Sequence, residues 1–159
     1  MHLSSNVLIG EERLKLRVEA MASAIAADTP PGGRLSVVAL MDGAFMFCAD
    51  LVRRLPMPVH LAFVPVVSID RGGSEDQFRL PAGFPVAGAD LLVVEDILDT
   101  GQTLAALRRH LERLGPERVR IAVLLDKRGR RKVEIGPDYT GFTVEDRWVV
   151  GYGLDHEGL

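Results

Sequence analysis

The chain has 159 residues, of which 47% are hydrophobic and 26% are charged, a composition that predicts one globular domain over residues 1–159. Its formal net charge of -3 argues against a surface that binds nucleic acid, and no apolar segment is long enough to span a bilayer. We therefore expect a cytoplasmic protein that binds neither nucleic acid nor membranes. Cys48 is the only cysteine and lies among apolar residues, which excludes an internal disulfide and predicts an inert buried thiol.

The first half of the chain predicts two helices and two strands. Apolar residues recur at helical spacing over residues 11–27, and the apolar, β-branched segment 35–41 follows as a buried strand. A second helix is predicted over residues 44–54 and a long strand over residues 59–69. The polar, glycine-rich residues 70–84 have no clean period and predict a loop.

The second half of the chain continues the alternation of strands and helices. Residues 91–94 predict a buried strand, and leucines at helical spacing predict an amphipathic helix over residues 104–114. Two further strands are predicted over residues 119–125 and 148–152. Strands that alternate with helices favour an α/β fold with a mostly parallel sheet flanked by helices. In such sheets ligands bind beyond the carboxyl ends of the strands.

An acidic segment with the sequence VVEDILDTGQT, residues 93–103, begins in one of the predicted strands. Its last four residues, 100–103, stand between a strand and the start of a helix. Free backbone N–H groups and the positive end of the helix dipole favour an anion at such a place. Phosphate is the natural ligand, although the segment lacks the lysine of a Walker P-loop.

The first half of the segment contains its acidic residues. Adjacent carboxylates such as Glu95 and Asp96 suit either the two hydroxyls of a ribose or a hard divalent cation. Asp99 lies between this pair and the phosphate loop, where a carboxylate could hold a proton on a reacting base. Alternatively, Asp99 or Thr100 could simply cap the following helix. Together the two halves of the segment predict a site for a ribose 5-phosphate.

The same segment resembles the phosphoribosyl-pyrophosphate signature of the type I phosphoribosyltransferases, in the form found in their hypoxanthine-guanine branch. Residues 42–51 resemble the pyrophosphate loop and the following helix of that branch, and residues 124–128 resemble its purine-contacting strand end. Residues 138–141 together with residues 148–155 resemble its base-binding hood. The resemblance therefore implies the type I phosphoribosyltransferase fold, in which a small hood covers the site.

The resemblance implies a role for each position of the acidic segment. Glu95 and Asp96 would hold the ribose hydroxyls with magnesium nearby, and Asp99 would act as general acid/base at N7 of the purine. The 5-phosphate would be bound by Asp99, Thr100, Gly101, Gln102 and Thr103. The pyrophosphate would lie against a separate loop that comprises Asp42, Gly43 and Ala44.

A second group of residues would hold the purine ring. The resemblance implies that Lys127 donates to the 6-oxo group, that Trp148 stacks on the ring and that the Val149 backbone reads its edge. Asp155 would bind a magnesium ion that chelates the pyrophosphate, and Ile97 completes the purine-binding set. Taken alone, Lys127 is more often a solvated surface cation, and Trp148 is as often part of a core as a stacking platform.

The activity that the resemblance implies is a magnesium-dependent exchange at an anomeric carbon. The 5-phosphoribosyl group of phosphoribosyl pyrophosphate moves to N9 of hypoxanthine or guanine, giving the nucleoside monophosphate and pyrophosphate in purine salvage. A lysine at the 6-oxo position favours oxopurines over adenine. The resemblance also implies a homodimer or homotetramer, for which Phe45, Phe47 and Leu51 could supply an interface or simply core.

Three departures from the family pattern favour an alternative, a weakly active or inactive regulatory protein that binds nucleotides. Asp42 stands where the family usually has a basic residue. The lid, residues 68–76, lacks the family's tyrosine and is more acidic, although Arg71 could replace a lost cation. The arginine that family members commonly carry near the C-terminus is absent from the sequence, which ends at Leu159.

Overall fold

The first helix has the bounds that its sequence predicts. A computed structural model of the chain describes residues 6–67, 69, 72–74 and 77–154, and in it helix α1 spans Glu11–Ala27. Acidic residues occupy its first turn, where they complement the helix dipole. One face of α1 is buried, through Val18, Met21, Ala22 and Ile25. No helix of the described ranges is long and apolar enough to cross a bilayer.

The five strands of the sheet lie in the order β2-β1-β3-β4-β5. Each neighbouring pair is parallel, which confirms the predicted α/β fold with a parallel sheet. The parallel order also brings the carboxyl ends of all the strands to one edge, where the acidic segment lies. The strands are β1 Leu35–Met41, β2 Val59–Pro65, β3 Asp90–Leu98, β4 Arg118–Asp126 and β5 Tyr139–Thr143.

Helices cover both faces of this sheet, so its central strands are buried on both sides. Helix α2, Phe45–Val52, shares one core with α1, and helix α3, Gln102–Glu112, packs on the opposite face. Alternate residues of β3 show the division, because Leu92 contributes to the first core and Leu91 to the second. Cys48 of α2 is buried, which confirms the predicted buried thiol, and this burial raises the pKa of the thiol to about 12.

Several element boundaries differ from the predicted ones. Strand β2 ends at Pro65 instead of residue 69, and α2 is shorter than the predicted 44–54. Strand β3 continues to Leu98, so Glu95 and Asp96 lie within its last residues and not beyond its end. The hydrophobic pattern of β3 stops at the acids, but its pairing with β4 continues past them.

The prediction of a strand over residues 148–152 is wrong. Gly151, Tyr152 and Gly153 all have positive φ angles, which turn the chain, and only an isolated bridge joins Gly151 to Leu154.

The last strand of the sheet was not predicted. It is β5, which includes residues 139–141 that the resemblance assigned to the hood. A Cβ atom at Gly141 would lie 2.3 Å from the carbonyl oxygen of Leu124, so glycine permits the close approach of β5 to β4.

Candidate active site

A cavity of about 460 Å³ lies at the carboxyl ends of the central strands. Segments that follow β1, β3 and β4 form most of its walls, and the segment after β5 closes one side. The sequence predicts a ligand site at this edge of a parallel sheet. Most of the predicted site residues line the cavity, namely Asp42, Gly43, Glu95, Asp96, Ile97, Asp99, Thr100, Gly101, Thr103, Lys127, Trp148 and Val149.

The segment at the start of α3 has the geometry of an anion-binding turn. Gly101 is the N-cap of α3 with a φ of +83°, a left-handed conformation that glycine adopts without strain. A Cβ atom at this position would also lie 2.5 Å from Cγ2 of Ile135, so both the backbone conformation and the available space favour glycine. Thr100 and Thr103 line the cavity beside it, whereas Gln102 begins the helix and is not part of the wall.

The backbone that follows β2 also contacts this turn. The N–H group of Ile69 donates a hydrogen bond of 3.0 Å to the hydroxyl of Thr103. A loop that leads from the edge strand therefore touches the predicted phosphate-binding residues. Within the predicted lid, residues 69 and 72–74 are described, whereas Ser68, Asp70, Arg71, Glu75 and Asp76 lie outside the described ranges.

The two adjacent acids at the end of β3 are partly buried and close to each other. Burial raises the pKa of the Glu95 carboxyl well above its ordinary value, and the charge of Asp96 raises it further. The Asp96 carboxylate accepts a hydrogen bond of 2.8 Å from the N–H group of Ile97. No group of three or more His, Cys, Asp or Glu side chains that could hold a metal occurs among the described residues, so Glu95 and Asp96 form a pair only.

The predicted pyrophosphate loop packs directly against this acidic pair. A Cβ atom at Gly43 would lie 1.9 Å from Oδ2 of Asp96, so only glycine fits beside that carboxylate. Asp42 is exposed, lines the cavity and follows a cis peptide bond. Ala44 is buried, and its N–H group donates to the carbonyl of Leu40 at 3.3 Å. The geometry therefore supports Asp42 and Gly43, but not Ala44, as residues that face a ligand.

Most of the predicted purine-binding residues form another part of the cavity wall. Lys127 is buried, with 8% of its surface exposed, which is not the environment of an ordinary surface lysine. Trp148 is 59% exposed and borders the cavity, so it is not a core residue. Ile97 and Val149 complete this wall, and Asp155 lies outside the described residues.

One cation that the sequence analysis did not single out sits beside the predicted general acid/base. Nε of Arg130 lies 3.0 Å from Oδ1 of Asp99, and its terminal NH1 nitrogen lies 3.3 Å from Oδ2 of Asp146. The hydrogen bond that Arg130 donates to Asp99 and the charges of both carboxylates raise the pKa of the Arg130 guanidinium above its ordinary value.

Two further cations of the same loop contact the backbone at the predicted phosphate-binding turn or just before it. Lys132 lines the cavity, and its N–H group donates to the carbonyl of Thr100 at 2.9 Å. Arg131 donates to the carbonyl of Leu98 at 3.0 Å and forms an ion pair with the buried carboxylate of Asp126. The loop after β4 thereby fixes the end of β3. The sequence shows the basic run KRGRRK, but its spacing does not indicate which cations face the cavity.

Comparisons with known proteins agree with the geometry of this site. Residues 7–157 match the phosphoribosyl transferase domain family. The hypoxanthine-guanine phosphoribosyltransferase of Aquifex aeolicus is 38% identical over 152 residues, which cover 94% of this chain and 85% of that protein. The hypoxanthine phosphoribosyltransferase of Salmonella typhimurium is 34% identical over 154 residues, 94% of this chain and 86% of that protein.

Solved structures lead to the same family. A crystal structure of a Staphylococcus aureus hypoxanthine phosphoribosyltransferase superimposes with a TM-score of 0.89 at 32% identity and covers 98% of this chain and 85% of that one. The Trypanosoma cruzi hypoxanthine phosphoribosyltransferase in complex with the product IMP has a TM-score of 0.86 at 32% identity, covering 99% and 90%. The chain therefore belongs to the phosphoribosyltransferase family, and its resemblance to the hypoxanthine(-guanine) branch is confirmed.

Proposed function

We propose that the protein transfers a 5-phosphoribosyl group from phosphoribosyl pyrophosphate to N9 of hypoxanthine or guanine, a reaction of purine salvage. The products are the nucleoside monophosphate and pyrophosphate. One observation carries the proposal: a single cavity places an anion-binding turn, an acidic pair and a buried lysine beside an exposed tryptophan. These groups match the phosphate, the ribose and the purine of one nucleotide.

The 5-phosphate binds at the turn that begins α3. Backbone N–H groups at the start of a helix are not used by the helix itself, and the helix dipole adds partial positive charge there. Thr100, Gly101, Gln102 and Thr103 provide this cradle, with Asp99 at its edge. Glu95 and Asp96 then accept hydrogen bonds from the ribose hydroxyls, because an ionised carboxylate offers two acceptor oxygens and no donor.

The purine binds between Lys127 and Trp148. The Lys127 ammonium donates to the 6-oxo group, and its burial makes that charged hydrogen bond stronger than it would be in water. An adenine would present an amino group there, so a donor would face a donor. Trp148 stacks on the ring face, the Val149 backbone reads the ring edge, and Ile97 packs beside it.

Asp99 acts as general acid/base at N7 of the purine. When N9 forms its bond to the anomeric carbon, the bond from that carbon to the pyrophosphate oxygen breaks, and the N7 proton moves to the Asp99 carboxylate. Asp99 is partly exposed at the border between the phosphate turn and the purine wall, so it can reach a ring held by Lys127. In the reverse direction the same carboxylic acid returns the proton.

We also propose Mg²⁺ as the cofactor. Glu95 and Asp96 suit it, because burial and mutual repulsion raise the pKa of Glu95, and a divalent cation would relieve both effects. Asp155 is proposed as a further ligand. When bound, the ion neutralises charge on the departing pyrophosphate. Asp42 places another carboxylate in the cavity, so a cation on this side is also needed to offset its repulsion of the pyrophosphate.

A transfer assay tests the proposal. The protein is incubated with magnesium, phosphoribosyl pyrophosphate and hypoxanthine, guanine, xanthine or adenine in turn, and the change in absorbance is followed. We expect turnover of hypoxanthine or guanine and none of adenine. Measurable binding of GMP without turnover of any base would instead support the alternative, a regulatory nucleotide-binding protein, which the carboxylate at Asp42 favours.

We also propose that the protein is a cytoplasmic homodimer or homotetramer and that residues 1–159 form one domain. Exposed apolar side chains support the assembly, since Phe45 on α2 and Leu61 and Phe63 on the edge strand β2 are each more than one third exposed. Phe47 and Leu51, which the sequence left open as interface or core, are core residues. Size-exclusion chromatography with light scattering measures the assembly directly, and a monomer at assay concentration contradicts it.

A further inference from the structure

We propose that Asp146 is a positioning residue for Lys127 and Asp99, the two charged side chains proposed to contact the purine, an inference that rests on the proposed function. Its carboxylate connects two cations. Oδ1 lies 3.8 Å from Nζ of Lys127, and Oδ2 lies 3.3 Å from the terminal NH1 nitrogen of Arg130. Arg130 in turn holds Oδ1 of Asp99 at 3.0 Å. We call the series Asp99, Arg130, Asp146 and Lys127 the ion-pair chain.

The ion-pair chain connects three separate segments of the sequence. Asp99 follows β3, Lys127 and Arg130 follow β4, and Asp146 follows β5. All three segments meet at the carboxyl edge of the sheet, and Asp99, Lys127 and Arg130 line the same cavity. Asp146 therefore connects the segment after β5, which also carries the tryptophan proposed to stack on the base, to the two residues that contact O6 and N7, neighbouring atoms on one edge of the proposed purine.

Stability does not explain the ion-pair chain. The side chains of Arg130, Asp99 and Asp146 are 47%, 41% and 55% exposed, and exposed ion pairs contribute little to the free energy of unfolding. Lys127 differs, because its side chain is only 10% exposed. A buried ammonium needs a nearby counter-charge, and the carboxylate of Asp146, 3.8 Å away, supplies it. The arrangement thus sets the direction of the Lys127 side chain and not the stability of the fold.

Both functional groups keep the capacity to bind a purine while they are held in this way. An ammonium has three N–H donors, so Lys127 can face Asp146 and still donate to a 6-oxo group. A carboxylate has two oxygens, so Arg130 can hold one oxygen of Asp99 while the other receives the N7 proton. Held in advance, the two groups lose less side-chain freedom when the purine binds. Asp146 therefore acts on the base through Lys127 and Arg130 without touching it.

The opposite role for Asp146 would be competition, in which its carboxylate must release Lys127 before the 6-oxo group can bind. The two roles predict opposite changes when the carboxylate is removed. Positioning predicts weaker purine binding in an Asp146 variant, and competition predicts tighter purine binding. Neither role acts on the backbone N–H groups at the start of α3, which hold the proposed 5-phosphate, so the affinity for the ribose-phosphate half of the ligand is an internal reference.

Asp146→Asn is compared with Glu145→Gln to test the proposal. Glu145 is the adjacent exposed carboxylate, and it pairs with Arg147 outside the ion-pair chain, so the control removes the same charge from the same loop. Steady-state kinetics give the KM for hypoxanthine, the KM for phosphoribosyl pyrophosphate and kcat. We expect the KM for hypoxanthine to rise about tenfold in Asp146→Asn, with the other KM unchanged, because a charged contact is lost. Asp146→Glu should recover part of the loss.

Calorimetric titration of GMP and of ribose 5-phosphate provides a readout that needs no turnover. Weaker binding of GMP by Asp146→Asn, with unchanged binding of ribose 5-phosphate, supports the positioning role. Three results overturn it: the same affinities as Glu145→Gln, tighter binding of GMP, or an equal loss of affinity for GMP and for ribose 5-phosphate. A wild-type protein that binds GMP but transfers no phosphoribosyl group contradicts the proposed enzyme activity, while the same titrations still decide the role of Asp146.

Discussion

Replacing Gly101 by alanine tests whether the phosphate turn requires glycine for both conformation and space. Its φ of +83° lies in the left-handed region, where a side chain costs about 1–2 kcal/mol. The new Cβ atom would also lie 2.5 Å from Cγ2 of Ile135 and 3.0 Å from Cδ of Arg131. Relief of such overlap in a packed site costs a further ~1–3 kcal/mol. Gly101→Ala should therefore destabilise the protein by about 2–5 kcal/mol.

Gly115→Ala is the matched control. Gly115 follows the other end of α3 with a φ of +75°, but a Cβ atom there meets no atom within 4 Å. This variant should show the conformational cost alone, about 1–2 kcal/mol. Urea unfolding measures both free energies, and the difference between the two variants gives the cost of the overlap.

The same pair of variants also connects the turn to function. A distorted turn should raise the KM for phosphoribosyl pyrophosphate in Gly101→Ala and leave it unchanged in Gly115→Ala, because only Gly101 borders the cavity. Ile135→Ala in the Gly101→Ala background should restore part of the lost stability, since it removes Cγ2. Equal destabilisation by Gly101→Ala and Gly115→Ala would refute the steric argument.

Three further predictions concern charged side chains of the cavity. Burial raises the pKa of the Glu95 carboxyl above its ordinary 4.5, so the folded state loses stability as the pH rises from 4.5 through the raised value. The melting temperature of Glu95→Gln should therefore equal that of the wild type at pH 4 and exceed it at pH 8. A difference in melting temperature that does not change with pH contradicts this. Asp99→Asn should lower kcat by about a hundredfold or more while GMP binding, measured by calorimetry, persists, and unchanged kcat contradicts a general acid/base. Lys132→Gln should raise the KM for phosphoribosyl pyrophosphate about fivefold, because Lys132 lines the cavity beside Thr100. The control Lys15→Gln, on α1, should leave this KM unchanged. Equal KM values for the two variants contradict a contact between Lys132 and the phosphate.

Local patterns in the sequence were sufficient for most of the fold. The helix at Glu11–Ala27 and the strand at Leu35–Met41 have the bounds that hydrophobic periodicity predicts. Strand β5 was missed because it is only five residues long and contains a glycine. Its pairing with β4 is a tertiary contact that the local sequence does not show. The apolar residues near Val150 suggested a strand, but the glycines around Tyr152 turn the chain instead.

The candidate site was predictable where its residues are adjacent in sequence, and less so where distant segments meet. The acidic segment could be recognised because three carboxylates occur within five residues directly after an apolar run. Arg130 and Asp146 are 16 residues apart, and their ion pair depends on how two loops approach each other. A basic run can be seen in a sequence, but the direction of each side chain is set by the backbone of the folded loop. Ala44 belongs to the predicted pyrophosphate motif but is buried and does not line the cavity, a difference that the sequence does not indicate.

The exposed indole of Trp148 provides an intrinsic fluorescence signal at the cavity. Trp148 is the only tryptophan in the chain, and it lies at the wall of the cavity where the purine is proposed to stack. Excitation at the red edge of tryptophan absorption therefore produces emission from a single known position. Binding of a purine there should quench this emission, whereas ribose 5-phosphate should leave it nearly unchanged. Stopped-flow fluorescence can thus follow the arrival of the base separately from that of the sugar phosphate and give the order of substrate binding without any label.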